Sequence, residues 1–159
     1  MPGRSLKKHE RDYSDTPLSR KLGLKSGAQL LLLNAPTGFV DTLAPLPDGL
    51  EVIGDEASVP VDVAVVFCSD KRELEQGLAQ AASNLNAAGG LWLAWPKKGA
   101  PIPTELNFTT VQAAGLRFGL VDNKSCSISK VHTALRFVVR IQDRPGWTGR
   151  SKESRSSSK

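Results

Sequence analysis

Two short stretches of this chain, with a carboxylate between them, carry side chains able to meet a ligand. Asn34-Ala-Pro-Thr-Gly38 follows the apolar run Leu30–Leu33. A turn in that place, just beyond the carboxyl end of a strand, is where open α/β sheets bind their ligands. Asn34 offers an amide there, and Thr37 and Gly38 offer donors at a helix start. The nucleotide-binding form of such a turn is G-x-G-x-x-G, whose glycines let the backbone approach the ligand. Here only Gly38 remains, and Pro36 has removed a backbone donor. That loss favours a structural turn in which Asn34 bonds to backbone. Asp55 stands 21 residues after Asn34, close to the ~20-residue offset of a ribose-binding carboxylate. Gly54-Asp55-Glu56 also reads as a solvated acidic turn, the simpler account without the glycines. Trp95-Pro96-Lys97-Lys98 places an aromatic face for a planar ligand beside two cations for an anion. A core tryptophan followed by a basic loop is the competing reading, and both stay open.

Other reactive side chains have plainer explanations. Ser69 and Asp70 end a strand, and Asp70 is accounted for as a helix cap. Cys68 near a helix start can be an activated thiol, although a small buried hydrophobe is the more frequent case. Cys126 has no metal-ligand spacing to Cys68. The only histidines are His9, in a polar terminal stretch, and His132, beside the last strand. They give little support to a metal centre or a catalytic triad, and neither G-x-S-x-G nor G-x-x-x-x-G-K-[ST] occurs.

These residues must be positioned by a scaffold. The 159 residues suit one domain with tails, and 40% hydrophobic content is enough for a core without disulfides. No membrane-spanning run and no hydrophobic leader is evident, so a cytoplasmic chain with reduced thiols is expected. The net charge of +5 is unevenly spread. Residues 1–12 carry four basic and two acidic groups, and residues 144–159 carry five and one. The body, 13–143, holds 12 basic and 13 acidic groups. A near-neutral body argues against a nucleic-acid groove. The basic ends permit weak, nonspecific attraction to polyanions.

Residues 1–12 and 143–159 read as disordered, because neither can bury enough surface to offset its ordering entropy. Between them, a short helix begins at Thr16-Pro17 with Leu18 and Leu22 on its buried face and Gly23 at its end. Strands are expected at Gln29–Asn34, Leu50–Ile53, Val61–Cys68 and Leu91–Trp95. Asp70–Asn86 reads as the clearest helix, with Asp70 and Glu73 as a capping box and Leu74, Leu78, Ala81, Ala82 and Leu85 on one face. Gly89-Gly90 reads as its stop. A second helix is expected over Glu105–Ala114, and Phe118–Ser127 and Thr133–Arg140 as an antiparallel ribbon. This order predicts an α/β, three-layer Rossmann-like sheet with mostly parallel inner strands and a terminal antiparallel pair.

The layout resembles class I methyltransferases. Leu24–Gly38 looks like their first strand and cofactor turn, Val61–Val66 like their fourth strand, and Leu85-Asn-Ala-Ala-Gly-Gly-Leu-Trp-Leu93 like the helix end, turn and fifth strand. Only 26 residues, 35–60, separate the first strand from the Val61 strand. That span is too short for two strands and three helical crossovers of at least ~10–12 residues each. A shortened scaffold, with one strand and its helix missing, follows. The chain is also similar to a bacterial family known as domain of unknown function 3052. The matching pieces are Tyr13–Gly27, Leu31–Pro36, Leu93–Lys98, Gly119–Cys126 and Leu135–Val138. That resemblance implies a small bacterial cytoplasmic protein with a Rossmann-like fold, and no particular activity.

A retained sheet with a depleted cofactor turn points to a binding or regulatory role without catalysis, using no cofactor and taking a protein partner or a small molecule. The site candidates are Asn34, Thr37, Gly38, Asp55, Trp95, Lys97 and Lys98. The alternatives are a divergent S-adenosylmethionine-dependent methyltransferase or nucleotide-binding enzyme, and a nonspecific nucleic-acid binder acting through the tails. No membrane partner is expected, and homo-oligomerisation is left open.

Overall fold

The computed structural model describes residues 16–54 and 60–150. The expected terminal stretch 1–12 and residues 151–159 therefore lie outside the described residues, as does Asp55. Six strands form one sheet in the order β2-β1-β3-β4-β6-β5. They are β1 (Gln29–Leu33), β2 (Glu51–Ile53), β3 (Val61–Phe67), β4 (Leu85–Pro96), β5 (Leu120–Ser127) and β6 (His132–Val139). The pairs β1–β2, β1–β3 and β3–β4 are parallel. The pairs β4–β6 and β5–β6 are antiparallel. The orientation of the short strand β2, which its three residues do not encode, is thus settled as parallel.

The strands are apolar on both faces because both faces are covered. Leu31, Leu33, Ala64, Val66, Leu91, Leu93 and Trp95 point to one side. There α2 (Lys71–Ser83) and α3 (Phe108–Phe118) pack. Two glycines set how closely these helices approach. A β-carbon on Gly77 would run into Val66, and one on Gly115 into the Phe137 ring. The alternate residues Leu30, Val63, Val65, Phe67, Trp92 and Ala94 face the other way. The layer there is thin: α1 (Leu18–Lys21), a 3-10 turn at Val40–Leu43 and their loops. Leu22 and Leu43 seal it, and the fully buried Trp92 donates its indole N–H to the Leu22 carbonyl at 3.1 Å. The short crossover between β1 and β2 leaves no room for a longer helix on this face.

Three boundaries differ from expectation. The helix read as Asp70–Asn86 stops at Ser83, and Leu85–Gly90 joins β4. Gly89-Gly90 is strand because Val63 pairs with Gly90 across an irregularity in the β3–β4 register. The helix read as Glu105–Ala114 begins at Phe108. Asn107 and Thr110 cap each other reciprocally there, and Gly119 ends the helix in the left-handed region. Glu105 instead accepts from the backbone N–H of Lys71 at 3.0 Å. Finally, the chain beyond 142 stays on the body as far as Arg150. Residues Ile141–Gly146 form a second 3-10 turn, and the Trp147 indole packs on the helix-side core and donates to the Leu85 carbonyl at 2.8 Å. An aromatic side chain had apolar surface to reach, which composition alone does not reveal.

Candidate functional site

The chain runs from β1 outward to β2 and then returns to β3 on the other side of β1, so the strand order reverses at the carboxyl ends of β1 and β3. Such a switch point leaves a crevice. Here it is a cleft of about 480 Å³, within the ~300–1,000 Å³ range of small-molecule sites. Four segments build its walls: Asn34 and Pro36–Phe39 after β1, Phe67-Cys68-Ser69 at the end of β3, Pro96 at the end of β4, and Ser129, Val131 and His132 where β5 turns into β6.

Each wall is held by identifiable bonds. Asn34 sits at φ +59° and Gly38 at φ +86°, so two left-handed residues bend the chain away from the sheet. The Asn34 side chain donates from Nδ2 to the Phe67 carbonyl at 3.2 Å and ties β1 to β3. The backbone N–H groups of Phe39, Asp41 and Thr42 are spent on the turn itself, bonding to Pro36, Gly38 and Phe39. Asp70 caps α2 by accepting from the Glu73 N–H at 2.8 Å. Glu73 does not complete the expected capping box. Its Oε1 accepts from the Ser69 N–H at 2.8 Å and the Ser69 hydroxyl at 3.0 Å, one residue further back. Thr104 donates to the Ser69 carbonyl at 2.6 Å, so the loop that carries Ile102 is latched to the same corner.

Three rings line the interior. Phe67 stands edge-on to Phe39, with centroids 4.9 Å apart, and to His132 at 5.1 Å. Burial holds the His132 imidazole below its ordinary value, so the ring is neutral at pH 7. Ser129 holds the main chain there by accepting the His132 backbone N–H at 3.0 Å. Burial also pushes the Cys68 thiol up to about 12, with Glu73 and Asp70 adding to the effect, and its Sγ donates to the Ala94 carbonyl at 3.4 Å. Cys68 is therefore a packed thiol without nucleophilic character. Cys126 is also free and buried.

The residues singled out in the sequence are divided among three clefts. Asn34, Thr37 and Gly38 line the switch-point cleft. Trp95 is 5% exposed. Its ring belongs to the helix-side core, and with Lys97 and Lys98 it borders a separate cleft behind the Lys97–Thr104 loop. Lys97 donates to the Ser127 hydroxyl at 2.7 Å. A third cleft, largely polar, lies between β1 and α2 and shares Asn34 and Glu73 with the first. It ends at Gly54, the last described residue before Asp55. Phe39, Phe67 and His132 escaped the sequence reading. Period-2 alternation in β3 puts Phe67 on the thin face, but only the pairing of Pro96 with His132 brings the ring of β6 beside it.

The same architecture recurs among solved structures. The N-methyltransferase NodS from Bradyrhizobium japonicum is similar over 82% of this chain and 94% of its own, with 16% identity and a TM-score of 0.52. The PH0226 protein from Pyrococcus horikoshii is similar over 84% and 91%, with 12% identity and a TM-score of 0.55. The fibrillarin pre-rRNA processing protein of Methanococcus jannaschii is similar over 78% and 69%, with 14% identity and a TM-score of 0.56. The fold is methyltransferase-like. At these identities the likeness is one of fold alone. No family model matches the chain, and no curated protein matches it. Among the described residues no helix is long and apolar enough to cross a membrane, and no three metal-ligating side chains converge.

Proposed function

We propose that this chain is a non-catalytic binding protein on a pared-down methyltransferase-like scaffold, of the kind grouped as domain of unknown function 3052. It takes a small molecule with a flat, mostly apolar body. The observation that carries this reading is the state of the polar groups in the switch-point cleft. Asn34 Nδ2, Glu73 Oε1 and the Cys68 thiol are all engaged in holding the walls. What faces a ligand is chiefly Phe39, Phe67, Pro96, Ile102, Val131 and a neutral His132, with Thr37 as the polar side chain beside them. Such walls reward an apolar planar guest and leave no acid–base pair poised for chemistry.

S-adenosylmethionine, the cofactor associated with this fold, is a poor match to these residues. Its ammonium, carboxylate and sulfonium charges need partners, and among the described residues the only charged one lining the cleft, Glu73, has Oε1 committed to Ser69. The backbone N–H groups of Phe39, Asp41 and Thr42 after β1 are bonded within the turn.

A divergent methyltransferase is the second reading. It draws on the fold and on the polar cleft that reaches from Asn34 to Gly54, beside the place where a ribose-binding carboxylate was expected. Calorimetric titration of the full chain with S-adenosylmethionine separates the two. The first reading expects no saturable binding at micromolar concentrations, and native mass spectrometry of the purified protein then shows an apolar small molecule or none. Micromolar affinity together with methyl transfer to any acceptor overturns it. Replacing Val131 by Trp, at the mouth of the apolar cleft, is expected to displace the apolar guest and to leave the fold intact.

A further inference from the structure

Over residues 13–143 the chain is nearly neutral, yet the fold gathers cations in one place. A cleft of about 510 Å³ opens at the amino ends of the parallel strands, at the opposite end of the sheet from the switch point. Lys21 enters it from the end of α1, Lys25 from the following loop, Lys124 from β5 and Arg136 from β6. Among the described residues the only carboxylate lining it is Asp62. Its two oxygens are already engaged, accepting from the Gln29 N–H and from Asn86 Nδ2, each at 2.9 Å.

Arg136 is the unusual member. It is half-buried, and among the described residues its guanidinium has neither a hydrogen-bond acceptor nor an ion-pair partner. It lies against the backbone of Gly90, where a β-carbon would stand 2.5 Å from Nε and 2.8 Å from Cζ. Any side chain at position 90 would push the guanidinium out. Lys124 is directly opposite Arg136 in the β5–β6 ladder. Like charges so placed repel and destabilise the pair, and a guest anion between them removes that cost. The charges of Lys21 and Lys124 both act on the Cys126 thiol.

We infer that this cleft binds a phosphorylated small molecule, with phosphoryl oxygens held between the Arg136 fork and Lys124 and the two α1-side lysines at the rim. A guanidinium with a free edge matches two oxygens of one phosphoryl group. Even without Lys21, three cations, Lys25, Lys124 and Arg136, against one occupied carboxylate suit a multiply charged anion better than a monocarboxylate. The cleft exceeds what one phosphate fills, and Leu22, Val63 and Ala88 offer apolar contact to the rest of the molecule. The cations converge in a concavity and do not run as a stripe, which favours a small molecule over a polynucleotide backbone.

Calorimetry of the full chain at low ionic strength tests this, with pyrophosphate and a 20-nucleotide single-stranded DNA as probes. Pyrophosphate is expected to bind saturably. Arg136→Gln is expected to weaken it by about tenfold or more, and Lys124→Gln severalfold, as fits the loss of charged hydrogen bonds. Lys130→Gln, an equal charge change at the opposite end of the sheet, is expected to have no effect. Circular dichroism confirms that each variant is folded. Should Arg136→Gln fail to fold, the exposed Lys124 decides. The proposal is overturned by an absence of saturable pyrophosphate binding up to the order of 10 mM, by an equal loss in Lys130→Gln, or by DNA binding far more tightly than pyrophosphate with the same dependence on the variants. None of these outcomes bears on the apolar cleft at the other end.

Discussion

Asn34→Ala is expected to destabilise the fold by about 2 kcal/mol, and Asn34→Gly by less, about 1.5 kcal/mol. Two effects meet at this residue. Its Nδ2 donates to the Phe67 carbonyl at 3.2 Å and joins β1 to β3, a bond contributing about 1 kcal/mol net. Its backbone is left-handed at φ +59°, a conformation asparagine tolerates and alanine resists by about 1–2 kcal/mol. Alanine loses the bond and takes on the strain. Glycine loses the same bond and is at ease in this conformation, but its freer unfolded chain costs about 0.5–1 kcal/mol. The smaller side chain should therefore be the more stable of the two variants, by about 0.5 kcal/mol. Equilibrium urea unfolding reads this as a shift in midpoint at constant slope. In a thermal scan the alanine variant should melt about 4–8 °C lower, given about 2–4 °C per kcal/mol for a chain of this size. An alanine variant within about 0.5 kcal/mol of the parent, or a glycine variant no better than alanine, would refute the wall-holding role. The Asn34 amide would then be available to a ligand, and the non-catalytic reading of the cleft would lose its main support.

Other expectations concern packing, thiols and pH. Gly115→Ala should cost about 1–3 kcal/mol in urea unfolding, because its β-carbon meets the Phe137 ring where α3 crosses β6. Gly38→Ala, with open space around it but φ +86°, should cost about 1 kcal/mol from backbone strain alone. Equal costs would show that contact distance does not decide the first. Neither Cys68 nor Cys126 should react with Ellman's reagent at pH 8 in the folded protein, since burial raises both thiols, and both should react in denaturant; prompt labelling of Cys68 in the native chain would contradict its packed state. His132 is held below its unfolded value of 6.5, so the unfolded chain binds the proton more readily than the native one. Its contribution is complete above pH 6.5 and is lost as pH falls below that value toward the folded one, by at most about 1.4 kcal/mol per pH unit. His132→Phe keeps the edge contact with Phe67 and should remove this part of the slope; parallel profiles for the two proteins between pH 7.5 and 5 would be inconsistent with it.

By itself the sequence determined the layer plan and the depleted turn. Continuous runs such as Leu30–Leu33 and Val63–Phe67 demand burial on both faces, which only a sheet covered on both sides provides. A single glycine and a proline between Asn34 and Gly38 limit what the turn after β1 can hold, whatever surrounds it. Local signals also placed the start of α2 at Asp70, because a cap acts within one helical turn. They misplaced the end of α2, since Gly89-Gly90 is a breaker by composition but a strand once Val63 lies beside it. Tertiary structure alone decided the sites. Trp95 and the Asn34 turn share a rim in the linear reading, yet the pleat sends Trp95 into the helix-side core. Phe39, Phe67 and His132 come from three distant stretches and meet only because β1 and β3 end where β6 begins. Lys21, Lys25, Lys124 and Arg136 disappear into a neutral average along the chain and form a cationic cleft in space. Propensity and capping act over a few neighbours, whereas charge and ring contacts depend on strand order and register, which no local stretch specifies.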